Sequence, residues 1–229
     1  MSFWWLALLC PAAYFIGNIS PSVLISKFAL KSDVRADGSG NAGATNMMRK
    51  FGFRWALLIL VLDMLKSAVP ALVGLLLYGG FSYNGNPLMP VASTSAQIAM
   101  YACGFAALLG HVYPVLMKFR GGKGVATAVG VFAVANPVIG LSALVFGLLH
   151  GAYYQYASVS SFLFITWVVL WEGILKSPHP AVCGLLIGYY FFVLFTHRQN
   201  IVRILTGRER RANMFAKLRR KKKNISNSS

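Results

Sequence analysis

Three stretches of this 229-residue chain carry residue types that hold phosphorylated groups. The first, DVRADGSGNAGATNMMRK at 33–50, interleaves Gly38, Gly40 and Gly43 with Ser39, Asn41, Thr45 and Asn46. Glycines let the backbone turn tightly enough for amides and hydroxyls to face one point, which is what an anion needs. The same composition also describes a flexible linker, and alone it does not separate the two. The second stretch, GHVYPVLMKFRGGKGVAT at 110–127, has a glycine turn, Gly121 and Gly122, between Arg120 and Lys123. It runs into a helix start, where free amides and the macrodipole favour negative charge. The third, HRQNIVRILTGRE at 197–209, places His197 with Asn200, and Asn200 with Arg203, on one face at helical spacing. A His197 that merely caps the preceding helix is the alternative. In QYASVSS, Ser158 and Ser161 stand at another helix start, where a serine alone is an N-cap.

Several chemistries are excluded by what is missing. Gly122-Lys123 is followed by Gly124 rather than Ser or Thr, and no glycine lies five positions before Gly122, so a Walker nucleotide loop is unsupported. No histidine has Asp five positions later, which removes the HxxxxD acyltransferase design, and there is no GxSxG elbow. With only 5 acidic residues, a carboxylate cage for a hard cation is excluded. Cys10, Cys103 and Cys183 lie in apolar runs without a CxxC pair, so neither disulfide nor zinc is expected, and no cofactor or metal is assigned.

The elements that must position these groups are membrane helices. The chain is 57% hydrophobic and 12% charged, with a formal charge of +17, and its mean hydropathy of +0.61 argues against a solvated nucleic-acid binder. A helix needs about 20 apolar residues to cross roughly 30 Å of hydrocarbon. Such stretches occur near 4–26, 53–78, 95–118, 158–175 and 180–196, the first read as a retained span. Residues 124–157 are one long span or two separated at Asn136-Pro137. Charge decides it. Lys27, Lys31, Arg35, Arg49, Lys50 and Arg54 flank the first connection, Lys118, Arg120 and Lys123 the third, and eleven basic residues fall between Arg198 and Lys223. Under the positive-inside bias these share the cytoplasmic side, and only two spans in 124–157 keep the tail there.

The expected fold is therefore all-α, a polytopic membrane protein with seven transmembrane helices, amino terminus outside and carboxyl terminus cytoplasmic. The fourth helix, 124–136, would be of half length. Residues 1–209 form one membrane domain and 210–229 a polybasic cytoplasmic tail held at anionic headgroups. Asp63 and Lys66, three residues apart inside the second helix, are expected to pair with each other in a structural role. His150, His179 and Glu172 are given no special one. A transporter of phosphorylated solutes would share a cationic site and broken helices, but needs a midplane site open to both sides; these motifs are expected at one face.

The three stretches resemble, in order and topology, the three motifs of the bacterial membrane family of acyl-phosphate:glycerol-3-phosphate acyltransferases, over about residues 14–209. The resemblance implies a bacterial inner-membrane enzyme with a cytoplasm-facing site, acyl phosphate and glycerol 3-phosphate as substrates, and lysophosphatidate and inorganic phosphate as products. Position by position, it implies that Ser39, Gly40, Asn41, Thr45 and Asn46, with Gly38, form a phosphate-holding loop. It likewise implies that Arg49, Lys123, His197 and Asn200 hold glycerol 3-phosphate and complete the catalytic centre, with Gly121 and Gly122 beside them. One of Ser158 and Ser161 matches a functional serine, and the sequence does not choose between them. Ala36 and Asp37 stand where relatives often have Glu and His, and Ser67 stands where glycine is usual, which puts local packing in question.

Overall fold

In hydrocarbon a backbone must satisfy its own hydrogen bonds, so long apolar stretches become helices. The computed structural model describes residues 3–82, 91–176 and 179–211. Within them the chain forms α1 (Leu6–Asn18), α2 (Pro21–Leu24), α3 (Ala44–Phe51), α4 (Phe53–Leu77), α5 (Thr94–Val112), α6 (Val125–Ala135), α7 (Pro137–Tyr154), α8 (Ala157–Lys176), α9 (Pro180–Thr196) and α10 (Arg198–Leu205). The one departure from an all-helical fold among the described residues is a two-residue ladder, β1 (Phe81–Ser82) against β2 (Val91–Ala92). The basic tail from residue 212 lies outside the described residues.

Five helical stretches here are long and apolar enough to cross a bilayer: Leu6–Ala29, Phe53–Leu77, Thr94–Met117, Pro137–Tyr154 and Ala157–Ile174. Helix α9 with α10, bent by 60° at His197, makes a sixth candidate, and α6 is a shorter apolar helix. The first stretch is not the straight helix expected. It breaks after Asn18, and Pro21, which has no N–H to donate, restarts it as the first residue of α2. The break at Asn136-Pro137 falls where expected: the Asn136 carboxamide accepts from the Ile139 amide at 3.2 Å and Pro137 opens α7.

Helix α5 is the hub, packing on α1, α4, α6 and α9. Close approach is possible because small residues line the contacts, the usual solution where lipid gives helices no hydrophobic reason to associate. A Cβ on Gly110 would strike the Tyr14 carbonyl of α1, and one on Gly17 the Ala107 carbonyl of α5. Ser67, the departure from glycine, is fully buried and donates to the Thr127 carbonyl of α6 at 2.6 Å, tying α4 to the short helix. Glu172, given no role from sequence, is buried and accepts from the Tyr101 hydroxyl at 2.8 Å, which joins α8 to the hub.

Ser67→Ala should lower stability by about 1 kcal/mol, the net worth of one buried hydrogen bond. Gly110→Val should be far more damaging because α1 and α5 can no longer meet. Thermal unfolding in detergent measures both.

Candidate active site

The 33–50 connection is not a linker. Asn46, buried at the start of α3, donates from Nδ2 to the Val34 carbonyl at 2.7 Å and the Asp37 carbonyl at 3.0 Å, and its Oδ1 accepts from the Ser39 amide at 3.2 Å. Its hydrogen-bonding groups are thus occupied inside the loop, and Asn46 builds the cradle. Asp33 accepts two hydrogen bonds from the Arg35 guanidinium, which holds its carboxyl far below the usual carboxylate range. Lys50 reaches back to the Asp33 carbonyl at 2.9 Å and pairs with Asp37, so Asp37 fits here as a partner of Lys50. Gly38 and Gly40 take positive φ, 66° and 71°, in the turn this fastening requires.

The second stretch docks under the first. The Gly122 amide donates to the His111 carbonyl at 3.2 Å, and a Cβ on Gly122 would lie against both the His111 ring and the Ala42 carbonyl. One on Gly121 would collide with the His111 carbonyl. These glycines serve close approach. Gly124, at φ 84°, then turns the chain into α6 with no side chain capping it.

The third stretch closes the ring. His197 ends α9; its Nδ1 donates to the Val193 carbonyl at 2.9 Å, which fixes the proton there and leaves Nε2 as an acceptor. Burial first, then the Lys123 charge, push its pKa down to about 4, against the opposing Val193 and Glu209 contacts. Asn200 bridges the site: Oδ1 accepts from Lys123 Nζ and Nδ2 donates to Glu209 Oε1 at 2.8 Å. Glu209 also accepts from the Ser158 hydroxyl at 2.7 Å and from Arg203 Nε at 3.1 Å. Burial raises the Glu209 carboxyl, but these three hydrogen bonds outweigh it and hold it ionised. Lys123 is pushed down to about 8 by burial and by Arg203 and Arg49, with Glu209 opposing. Arg49 is lowered by burial, then Arg210.

These residues line one cavity of about 450 Å³. Ser39, Arg49, Lys123, His197 and Asn200 are in its wall, with Gly38, Asn41, Thr45, Asn46, Ser158 and Ser161. Gly40, Gly121 and Gly122 are not, and Gly122 lines a smaller adjoining pocket instead. The two serines differ: Ser158 bonds Glu209, whereas Ser161 donates back to the Ala157 carbonyl at 2.9 Å. The first turns of α3, α6, α8 and α10 all contribute residues to this cavity. The opposite wall is apolar: Phe53, Leu57 and Leu60 of α4, and Leu144 and Leu148 of α7. Helices α4 and α7 both pack on α6 rather than closely on each other, and Leu57 and Leu148 are half-exposed, so the cavity opens sideways toward lipid.

A cation-lined cradle continuous with an apolar slot suits a reaction between a phosphorylated water-soluble molecule and an acyl chain. A family model described as glycerol-3-phosphate acyltransferase matches residues 7–207. The chain belongs to the glycerol-3-phosphate acyltransferase family. The family member from Thermoanaerobacter pseudethanolicus (strain ATCC 33223 / 39E) is 37% identical over 86% of this chain and 90% of its own. That from Finegoldia magna (strain ATCC 29328 / DSM 20472 / WAL 2508) is 35% identical over 91% and 97%. The crystal structure of PlsY (YgiH), an integral membrane glycerol 3-phosphate acyltransferase, in its glycerol 3-phosphate form, superposes with a TM-score of 0.77 at 32% identity, covering 93% of this chain and 98% of that one. Its lysophosphatidic acid form gives 0.73 at 33%, covering 90% and 94%.

Sequence reasoning missed Glu209, Arg210, Asp63 and His111 as residues lining this cavity. Glu209 was legible in principle as one of 5 acidic residues in a basic segment. Arg210, which donates to the Gly38 carbonyl at 2.6 Å, and the Arg211 carbonyl, which accepts from Arg49 at 3.4 Å, extend the site's contacts two residues beyond 209. Because Lys123 loses its charge near pH 8, binding a dianion above that pH requires Lys123 to take up a proton. Sulfate affinity should therefore fall by up to about tenfold per unit above pH 8. Lys123→Arg should flatten the profile, as titration calorimetry would measure.

Proposed function

We propose that the protein transfers an acyl group from acyl phosphate to the 1-hydroxyl of glycerol 3-phosphate, releasing lysophosphatidate and inorganic phosphate, at the start of phospholipid synthesis. The observation that carries this is the single cavity in which the cations Arg49, Lys123, Arg203 and Arg210 outnumber the carboxylates Glu209 and Asp63, with an apolar slot alongside. The excess of cations over anions matches phosphorylated ligands. The relatives' names specify glycerol 3-phosphate, and one solved relative was captured with lysophosphatidic acid.

An acyl phosphate is a mixed anhydride whose phosphate leaves without a strong general acid, so the protein's work is positioning and charge stabilisation. Arg49 and Lys123 clamp the glycerol 3-phosphate dianion. The loop at Ser39–Thr45 and the starts of α3 and α6 hold the donor's phosphoryl group. The acyl chain lies between α4 and α7. His197, neutral at pH 7 with Nε2 as acceptor, orients the attacking hydroxyl. A pKa of about 4 makes it a weak base, and the donor's own phosphate takes the proton. The tetrahedral oxyanion is stabilised by helix-start amides, since Asn200 is engaged with Lys123 and Glu209. Of the two serines Ser158 is the functional one, set in place by Glu209.

The reading includes seven crossings, with α6 and α9 added to the five long helices, the amino terminus outside, and the site on the cytoplasmic face of a bacterial inner membrane. The positive-inside bias supports it. At about 1.5 Å per residue α6 is only about 16 Å long, so it crosses as a short helix whose amino-terminal end, with Lys123, stops at the cavity rather than at the membrane surface.

Purified protein with glycerol 3-phosphate should make lysophosphatidate from palmitoyl phosphate and not from palmitoyl-CoA; product from the thioester alone would overturn the donor assignment. Arg49→Ala should lower kcat/KM at least about 100-fold, as for other lost charge-assisted contacts in a transition state. His197→Gln should act mainly by raising KM, and a collapse of kcat at unchanged KM would restore His197 as the base.

A further inference from the structure

Beyond α10 the chain turns back across the cavity. The Gly207 amide donates to the Ile204 carbonyl at 3.1 Å and the Arg208 amide to the Arg203 carbonyl at 2.7 Å, with Gly207 at φ 67°, the paired bonds and left-handed glycine that end a helix sharply. A Cβ on Gly207 would meet nothing within 4 Å, so glycine stands here for the turn and not for space. Residues 208–211 then lie between the cavity and solvent. Arg208, Arg210 and Arg211 are exposed, while the Glu209 side chain is only 7% exposed and, with Arg210, lines the cavity.

The two sides of this segment are held differently. Toward α10 and α8, the buried Glu209 carboxylate accepts from Asn200 at 2.8 Å, Arg203 at 3.1 Å and Ser158 at 2.7 Å. Toward the first glycine loop and α3, the bonds among the described residues are Arg210 Nη1 to the Gly38 carbonyl at 2.6 Å and Arg49 Nη2 to the Arg211 carbonyl at 3.4 Å. Both of these are exposed, so water can replace either. Each guanidinium has five N–H donors, which leaves several for a phosphate in the cavity that both residues line. A phosphate bound there therefore strengthens the weaker attachment. A segment fixed on one side, lightly held on the other and tightened by its ligand is built to close.

We propose that residues 207–211 are a strap that shuts the water-facing mouth of the site when a phosphate occupies the cradle, and so keeps water from the acyl phosphate. The inference rests on the functional reading above. A phosphate that leaves readily when a hydroxyl attacks leaves as readily when water does. The water oxygen bonds to the acyl carbon, the bond from that carbon to the phosphate oxygen breaks, and both water protons pass to the phosphate, giving a carboxylate and dihydrogen phosphate. Water far outnumbers glycerol 3-phosphate, so transfer prevails only where water is excluded. The acyl chain enters between α4 and α7, so the aqueous side can shut without blocking the donor. Gly207 is the hinge and Arg210 the latch, a positioning residue that acts through the Gly38 carbonyl.

Full-length protein is given palmitoyl phosphate with and without glycerol 3-phosphate, and palmitate and lysophosphatidate are measured above the protein-free background. Without glycerol 3-phosphate, wild type should release little palmitate. Arg210→Ala, which removes the bond to Gly38, should raise that release at least about fivefold, the change in an open-to-closed ratio that one lost hydrogen bond gives. Gly207→Val should do the same, because a β-branched residue resists the left-handed turn. Arg210→Lys keeps a donor and should restore most of the protection, and Arg208→Ala, whose side chain lies outside the cavity, should match wild type. A weakened phosphate site or a misfolded protein lowers both products, so neither can produce a gain in hydrolysis. Arg210→Ala and Gly207→Val variants that lose both products in parallel overturn the strap, as does a wild type that hydrolyses the donor as fast as they do. No lysophosphatidate from wild type supplied with both substrates would instead remove the functional reading itself.

Discussion

The structure depends on holding positive charge together where water is scarce. Arg49, Lys123, Arg203 and Arg210 line one cavity, and the first turns of four helices contribute residues to it. Like charges at such range repel strongly when the medium polarises little. Two arrangements make the cluster tenable. Glu209 sits among the cations and bonds Arg203, Asn200 and Ser158, while Asn200 passes the contact to Lys123. Rigid loops, fastened by Asn46 and Lys50, keep the remaining groups from relaxing apart. What is left is a surplus of donors and positive potential that an incoming phosphate completes. Preorganisation of this kind leaves little to rearrange at the moment of reaction.

The short helix α6 links that cradle to hydrocarbon. Its amino-terminal end begins at the Lys123 loop, its side packs on α4 and α7, and Asn136-Pro137 ends it early and turns the chain into α7. With α6 as the floor, α4 and α7 stand apart far enough to leave a slot lined by Leu57, Leu60, Leu144 and Leu148. The bond from Ser67 to the Thr127 carbonyl and the close contact at Gly130, where a Cβ would strike the Met64 carbonyl, hold that floor against α4. A charged headgroup and its acyl tail can thus occupy one continuous space without either being carried through the other's environment.

Most of the architecture was legible because it follows from solvent. Apolar length set the helices, the parity of Lys and Arg around the connections required a break in 124–157, and Pro137 marked where it falls. The loops stood out because glycine with hydroxyl and amide residues has few other uses beside Arg and Lys, and the structure brings residues of each to one cavity. What the sequence did not show was pairing across long separations. Asn46 looked like a ligand residue and is a scaffold, because its partners, Val34 and Asp37, could be identified only once the loop was folded. Asp63 and Lys66 announced a pair by their spacing, yet His111, forty-five positions on, carries the cluster into the cavity. Glu209 lay inside a motif, but nothing in its neighbours revealed that Ser158 would reach it. The break in the first span at Asn18–Pro21 was present in the residues and was overshadowed by the apolar run around it.

The account's central claim is that the cation cradle and the apolar slot are one binding space for a phosphorylated acyl chain. A non-hydrolysable acyl phosphonate with a photoreactive diazirine near the carbonyl end of its chain, cross-linked in native membranes and mapped by mass spectrometry, tests it most directly. The account predicts labels on the slot faces of α4 and α7, around Leu57, Leu60, Leu144 and Leu148, and their loss when glycerol 3-phosphate and inorganic phosphate fill the cradle. Labels spread over lipid-facing residues such as Trp167 and Trp171, unaffected by either anion, would contradict it.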